Sequence, residues 1–191
     1  EIEKNPLSES EVVRVAIDLA SGLGTLHLAN LVHRDVKPRN VILSDKGRAR
    51  LIDYGISSVA TGTADSVVAG TFQYSAPEQT GMLERPVDGR ADLYALGVLI
   101  FECLTGQLPF QAKDVGDLLR MHAVVAAPDV RGLRGDVSDG LAMIVARLLA
   151  KDPDDRYQNA AGLASDLVQL PFLNELLDGN KTVYLDSIDS R

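Results

Sequence analysis

The stretch His33-Arg34-Asp35-Val36-Lys37-Pro38-Arg39-Asn40 places a carboxylate, an ammonium group and an amide close together in the chain. Pro38 and its polar neighbours predict a loop here. In such a loop Asp35 can serve as a general base, Lys37 as a compact cation and Asn40 as a hard oxygen ligand. Each of these residues alone is most often only a turn residue, so the flanking sequence has to decide what the octapeptide does.

A small hairpin is predicted directly after the octapeptide. The β-like segments 41–43 and 49–52 are joined by Ser44-Asp45-Lys46-Gly47, a strong turn signal. Asp53 follows the second segment, so the hairpin separates the octapeptide from a second acidic residue. The sequence therefore predicts one loop that enters a hairpin and one carboxylate where the hairpin ends.

The rest of the chain shows mainly helical apolar periodicity. Ser8 and Glu11 form a capping-box pattern at the start of the first predicted helix. Gly106 and Pro109 end a second, apolar helix. The predicted helices cover residues 9–29, 92–105, 114–123, 138–150 and 157–170. The fold class that follows is mainly α with a small β-hairpin.

Two segments lack this periodicity. Residues 56–70 are rich in Ser, Thr, Ala and Gly and predict a mobile surface loop. Residues 171–191 predict a C-terminal tail or linker. We therefore expect one domain over residues 1–170.

Composition excludes several classes of protein. The chain has 191 residues, 46% apolar and 24% charged, and its net charge of −8 argues against nucleic-acid binding. The lone Cys103 excludes an internal disulfide and suits a cytoplasmic location. No signal peptide or membrane span is evident. Because the chain begins at Glu1, we expect it to be a piece of a larger protein.

Four further motifs follow the octapeptide in a fixed order: Asp53-Tyr54-Gly55, the run from Gly70 to Glu78, the run from Asp92 to Val98, and the run from Asp152 to Tyr157. Together with the octapeptide they resemble the catalytic loop, metal-binding loop, activation-segment end, central helix and late Arg motif of Ser/Thr protein kinases, bacterial members in particular. The resemblance spans about residues 8–170. It implies the C-terminal lobe of the protein kinase fold.

The resemblance implies a role for each matching residue. Asp35 would be the catalytic base, and Lys37 the cation that stabilises the transferred phosphate. Asn40 and Asp53 would bind Mg²⁺, with Mn²⁺ as an alternative ion. Thr71 would hydrogen-bond Asp35 and Lys37, and Ile42 would pack under the adenine of ATP. The residues implied to support this site are His33, Arg34, Tyr54, Gly55, Glu78, Asp92 and Arg156, with Asp92 bracing the catalytic loop and Arg156 pairing with Glu78.

Two departures from the family pattern stand out. Tyr54 replaces the usual Phe and adds a hydroxyl that needs a partner. No Gly-rich phosphate loop, no Val-Ala-Ile-Lys-type strand and no helix with the partner Glu can be found in this sequence. The segments Gly22-x-Gly24 and Gly132-x-x-Gly135 fall in the wrong order to replace them. We therefore expect this chain to lack the N-terminal lobe of the kinase fold.

Several residues keep a structural interpretation beside a functional one. Asp92 can be a helix N-cap, and Glu78 with Arg156 an ordinary surface pair. Glu102 can attract a basic substrate side chain or serve the helix surface. His27, His122 and Cys103 are interpreted as structural, and His33 as packing against Tyr54. The predicted loop offers the phosphorylation candidates Ser57, Ser58, Thr61, Thr63 and Ser66, which could pair with Arg34.

Three functions remain after these observations. The first is ATP- and Mg²⁺-dependent phosphorylation of Ser or Thr in protein substrates, as the catalytic lobe of a larger kinase chain. The second is a non-catalytic kinase-like interaction module, inactive for lack of an N-terminal lobe. The third, a small-molecule phosphotransferase, is disfavoured because such enzymes generally lack the long segment from Asp53 to Glu78.

Overall fold

The computed structural model describes residues 6–53 and 72–178, and these form a mostly helical fold with one two-stranded antiparallel sheet. The helices are α1 (Glu9–Leu28), α2 (Gly89–Thr105), α3 (Val115–Val124), α4 (Asp139–Leu148), α5 (Ala160–Val168) and α6 (Leu170–Asp178). The strands are β1 (Val41–Leu43) and β2 (Ala49–Leu51). Short 3-10 turns lie at Pro38–Asn40, Pro77–Thr80, Val130–Gly132 and Pro153–Asp155. In these described ranges no helix is both long and apolar enough to cross a membrane.

The first helix begins where the capping pattern predicts. The Ser8 hydroxyl accepts a hydrogen bond from the backbone N–H of Glu11, and the Glu11 carboxylate accepts one from the backbone N–H of Ser8 at 2.9 Å. Both backbone donors are thereby satisfied. The apolar face of α1 is buried against α5 and α2. The Glu9 carboxylate also accepts hydrogen bonds from Ser138, which fixes the start of α4 to the start of α1.

The central helix α2 is apolar around its whole circumference, and nearly all of it is buried, as expected for a core helix. It starts three residues before the predicted position because Asp88 is the N-cap and accepts from the backbone N–H of Arg90 at 2.9 Å. Gly97 permits close packing on α4, since a Cβ there would lie 2.6 Å from the Cβ of Leu148. Helix α2 packs against α1, α4 and the turn Val130–Gly132.

The predicted hairpin is present, with Val41 opposite Leu51 and Leu43 opposite Ala49. Gly47 has a φ of 69° in the turn, a conformation that glycine adopts without strain. The Asp18 carboxylate of α1 accepts from the backbone N–H of Ala49 at 2.9 Å and so fixes β2 to α1. Strand β1 is covered little, because Ile42 is 53% exposed and Leu43 is 51% exposed although successive side chains of a strand point to opposite faces.

The C-terminal part differs from the expectation. The predicted helix over 157–170 is replaced by α5, capped by Asn159, and the first eight residues of the predicted tail belong to α6. Helix α6 packs on α4, where the Asn174 side chain accepts from the backbone N–H of Gly140 at 2.9 Å. A Cβ at Gly140 would lie 2.6 Å from that Asn174 oxygen. The contact depends on a glycine 34 positions away, which local periodicity cannot show.

Candidate active site

The turn Pro38–Asn40 brings Asn40 back onto Asp35. The Asn40 Nδ2 donates to the Asp35 backbone carbonyl and to its Oδ2, both at 2.8 Å. The Lys37 Nζ lies 2.8 Å from the other carboxylate oxygen, Oδ1. The side chains of Asp35 and Lys37 remain 31% and 21% exposed. A carboxylate held at both oxygens and still open to solvent can accept a further hydrogen bond, including one from an incoming hydroxyl.

Asp92 supports the backbone just before this turn. Its Oδ2 accepts from the backbone N–H of His33 at 2.8 Å, and its Oδ1 accepts from that of Arg34 at 2.7 Å. Arg34 has a φ of 64°, an unfavourable left-handed conformation that persists only where its surroundings fix it. The Gln79 amide adds a hydrogen bond of 3.1 Å to the Arg34 carbonyl. Asp92 lies in the first turn of α2 and is not its N-cap.

Two histidines complete this support, of which His33 is buried and His27 is partly exposed. His33 is buried, and its Nδ1 accepts from the backbone N–H of Asp35 at 3.3 Å. His27, at the end of α1, lies with its Nε2 2.9 Å from the Asp92 Oδ2. The His27 ring lies close against Gly89 at the start of α2. A side chain at this position would clash, because a Cβ there would lie 2.7 Å from the His27 Nδ1. Sequence reasoning left His27 as structural and did not foresee that Asp92 is its partner.

Asn40 and Asp53 are the candidate metal ligands. Both amide hydrogens of Asn40 are used on Asp35, so its Oδ1 is left to accept or ligate. Asp53 is exposed, has a φ of 54°, and follows Ile52, whose backbone N–H donates to the Asn40 carbonyl at 2.9 Å. The described residues hold no group of three or more His, Cys, Asp or Glu side chains suited to a metal. An amide oxygen from Asn40 and a carboxylate oxygen from Asp53 are ligands of the type that Mg²⁺ prefers. Two protein ligands are sufficient, because Mg²⁺ usually keeps several waters and also binds substrate phosphates.

Glu78 and Arg156 form a buried pair below the site. The Arg156 Nη1 donates to the Glu78 Oε1 at 2.7 Å, and Nη2 donates to Oε2 at 3.0 Å. The guanidinium also donates to three backbone carbonyls, those of Ala150, Arg90 and Lys151. Arg156 is completely buried. Such full satisfaction is what a buried charge requires, so the interpretation as an ordinary surface pair is wrong.

Glu102 has a partner within the chain, because the Tyr74 hydroxyl donates to its Oε2 at 2.6 Å. Burial and this carboxylate raise the pKa of Tyr74 well above its usual value. Cys103 is buried in α2, and burial raises the pKa of its thiol to about 12. The side chain of Ile42 on β1 is about half exposed. Thr71, Tyr54, Gly55, residues 56–70 and the phosphorylation candidates Ser57, Ser58, Thr61, Thr63 and Ser66 lie outside the described residues.

The sequence of this chain matches a known protein family. The family model described as "Protein kinase domain" matches residues 1–173 of the chain. The chain belongs to the protein kinase family. The described residues are mostly helical, with helices α1 to α6, and the hairpin of β1 and β2 follows the turn Pro38–Asn40.

Several curated relatives are serine/threonine-protein kinases of bacteria. PknH of Mycobacterium tuberculosis is 37% identical over 162 residues, which are 83% of this chain and 26% of that protein. Pkn1 of Myxococcus xanthus is 38% identical over 170 residues, 85% of this chain and 24% of that protein. PknL of Mycobacterium tuberculosis is 35% identical over 169 residues, 87% of this chain and 42% of that protein. The chain thus spans less than half the length of these relatives.

Proposed function

We propose that this chain supplies the catalytic turn, residues 33–40, of an ATP- and Mg²⁺-dependent kinase that phosphorylates Ser or Thr in proteins. The observation that carries the proposal is the Asp35 carboxylate, held at 2.8 Å by both Lys37 and Asn40 and still open to solvent. The named relatives support the class of reaction. The choice of Ser and Thr rests on Lys37, which the octapeptide shares with Ser/Thr kinases.

In this proposal Asp35 orients the substrate hydroxyl and takes its proton as that oxygen attacks the γ-phosphorus of ATP. The bond between the γ-phosphorus and the bridging oxygen breaks, so ADP leaves and a phosphate ester forms. Lys37 stabilises negative charge on the transferred group. Asn40 and Asp53 would hold Mg²⁺, which neutralises phosphate charge when it is bound. Asp92 keeps the turn in position through His33 and Arg34.

The proposal also assigns parts of the nucleotide site to another segment. This sequence contains no Gly-rich loop and no strand Lys of the kinase type. The exposed side chain of Ile42, two residues after Asn40, offers an apolar surface, as expected if Ile42 packs under adenine. We therefore assign the covering of ATP to an N-terminal lobe outside this sequence.

The lone Cys103 and the use of ATP support a cytoplasmic location.

The test is phosphoryl transfer by the full natural chain, measured with radiolabelled ATP and a basic protein as acceptor. Asp35→Asn is expected to lower turnover by roughly 10²–10⁴-fold, the contribution of a positioned base. Asp45→Asn is the matched control, because Asp45 is an exposed carboxylate in the hairpin turn. Phosphoamino-acid analysis of the product is expected to give phosphoserine or phosphothreonine. Equal turnover in Asp35→Asn and the wild type would refute the assignment of the base.

The second candidate is the non-catalytic interaction module, and the missing Gly-rich loop favours it. The two functions differ in what the full natural chain does with nucleotide. A kinase transfers the label to protein, whereas the module transfers none even if ATP and Mg²⁺ bind. The absence of any labelled protein, with the wild type folded and saturated with ATP and Mg²⁺, would favour the module.

A further inference from the structure

Gln79 is a partly buried residue that the proposed chemistry does not use. It lies in the turn Pro77–Thr80. Its Oε1 accepts from the backbone N–H of Ala76 at 3.0 Å, and its Nε2 donates to the backbone carbonyl of Arg34 at 3.1 Å. One side-chain amide thereby joins this turn to the catalytic turn, which lies 45 positions earlier in the chain.

The two contacts fix the orientation of the Gln79 amide. Its oxygen is only an acceptor and its NH2 group is only a donor. The opposite orientation would place the amide oxygen against the Arg34 carbonyl and the NH2 group against the Ala76 N–H. Both of these contacts are repulsive, so only one orientation satisfies both backbone groups. A carboxylate at position 79 would keep the contact with Ala76 but has no hydrogen to donate to Arg34.

The Arg34 carbonyl belongs to the peptide unit that leads into Asp35, the proposed base. At the other edge of this unit, the N–H of Asp35 donates to the His33 Nδ1 at 3.3 Å. Arg34 has the unfavourable φ of 64°, and its own N–H is held by Asp92 at 2.7 Å. Gln79 therefore supplies the contact on the carbonyl side of this peptide unit. The orientation of the unit sets the direction in which the Asp35 side chain leaves the backbone.

Gln79 is itself held firmly at its own backbone. It directly follows Glu78, whose carboxylate accepts from the fully buried Arg156 at 2.7 Å and 3.0 Å. The Gln79 N–H donates to the Ala76 carbonyl at 3.0 Å, which closes the turn. Because its backbone is fixed in this way, the Gln79 amide can hold the Arg34 carbonyl in one position.

We propose that Gln79 is a positioning residue, which orients the base Asp35 by holding the Arg34 carbonyl. The contact also couples two parts of the site, because it keeps the turn that contains Gln79 at a fixed distance from the catalytic turn. This inference rests on the proposed function, in which Asp35 takes the proton of the substrate hydroxyl. The competing interpretation is purely structural, with Gln79 only capping its own turn through the Ala76 N–H.

Two substitutions in the full natural chain separate these roles. Gln79→Met keeps the length of the side chain and removes both hydrogen bonds, whereas Gln79→Glu keeps the acceptor for Ala76 and removes the donor to Arg34. The rate of phosphoryl transfer in a single turnover is expected to fall roughly 3–10-fold in both variants, the effect of one hydrogen bond. The KM for the protein substrate should change less than about 2-fold in Gln79→Glu, because the turn keeps its cap.

Gln107→Glu is the matched control, because Gln107 is exposed beyond the end of α2 and receives the same charge. It should transfer phosphate at the wild-type rate. If the wild type transfers phosphate and Gln79→Glu keeps the wild-type single-turnover rate, Gln79 only caps its turn and the positioning role is wrong. A loss in Gln79→Glu with a normal rate in Gln79→Met would assign the loss to the added charge, and the positioning role would again be wrong.

A second measurement does not depend on activity. The backbone N–H groups of Arg34 and Asp35 are expected to exchange with solvent deuterium faster in both Gln79 variants than in the wild type, with the N–H groups inside α1 unchanged. If the wild type transfers no phosphate, the proposed function fails, and this exchange still tests the contact. Unchanged exchange in both variants would show that Gln79 does not hold the catalytic turn.

Discussion

Two carboxylate–cation pairs in this chain have similar distances and opposite surroundings. Glu78 and Arg156 meet at 2.7 Å with almost no exposed surface. Asp35 and Lys37 meet at 2.8 Å with 31% and 21% of their side chains exposed. In the first pair the guanidinium also donates to three backbone carbonyls. In the second pair both side chains remain in contact with solvent.

The difference in burial indicates that one pair stabilises the fold and the other is available for catalysis. A buried ion pair is stable only when all of its polar atoms are satisfied, and then no capacity is left for a substrate. A partly exposed carboxylate costs less to desolvate and keeps lone pairs for an incoming hydroxyl. We therefore interpret Glu78 with Arg156 as a brace and Asp35 with Lys37 as the reacting pair.

The largest effect is expected at the buried pair. Arg156→Met leaves the Glu78 carboxylate buried without its partner and removes the donors to three carbonyls. The free energy of unfolding should fall by about 3–5 kcal/mol, as for other broken buried pairs. Chemical denaturation of the full natural chain measures this loss.

The matched control for that change is Arg131→Met, because Arg131 pairs with Asp129 and Asp139 at the surface. Surface pairs contribute little to stability, so the control should unfold close to the wild type. Equal losses in the two variants would mean that burial does not distinguish these pairs.

An intermediate effect on the free energy of unfolding is expected from the protonation of His122, which is buried on α3. The pKa of His122 is lowered to about 4 in the folded protein, against about 6.5 when it is unfolded. Between these values the unfolded state binds more protons, so the free energy of unfolding rises with pH and is lost on acidification. Of the titratable groups facing the ring, Lys151 has a pKa of about 8 and Tyr94 a raised one, so neither titrates in this window.

Denaturation of wild type and His122→Gln at pH 6.5 and pH 4.5 isolates this contribution. The wild type should lose more stability than the variant on acidification, because the variant has no imidazole to protonate. The carboxylates of both proteins titrate alike and cancel in the difference. A pH dependence that is the same in both proteins would show that His122 is not held neutral.

The smallest effect on stability is expected at the exposed pair. Lys37→Met removes the cation beside Asp35 but leaves the carboxylate in contact with water and Asn40. The free energy of unfolding should change by no more than about 1 kcal/mol. Phosphoryl transfer should nevertheless fall strongly, because the stabilisation of the transferred phosphate is lost.

Lys46→Met is the control for this variant, since Lys46 is an exposed lysine in the hairpin turn. It should leave both stability and transfer unchanged. Normal transfer by Lys37→Met would exclude Lys37 from the chemistry. A loss of stability like that of Arg156→Met would instead make Lys37 part of the structural support.

Local signals were sufficient for much of the fold. The capping box at Ser8, the hairpin turn at Gly47 and the end of α2 at Gly106 all lie where the sequence predicts them. Each depends on residues within a few positions of one another. The mainly helical fold with one hairpin was therefore correctly predicted, with helix ends displaced by one to three residues in α1, α2, α3 and α4.

Other features depend on contacts between distant residues and could not be read from local patterns. Helix α6 is held by Asn174 on Gly140, and Asp92 meets His27 only because Gly89 leaves room for the ring. The pairing of Glu78 with Arg156 was expected from the family resemblance alone, since 78 positions separate them. Its burial and its carbonyl partners were not foreseen.

The sequence by itself determined which chemical groups this protein has and their order, because the octapeptide, Asp53 and the run ending at Glu78 are read directly from the chain. The tertiary structure decided which charged side chains are buried and which are exposed to solvent. That distinction comes from contacts between distant segments, since Arg90 of α2 and residues 150–151 after α4 surround Arg156. The cost of a charge depends on the atoms around it and not on its neighbours in sequence.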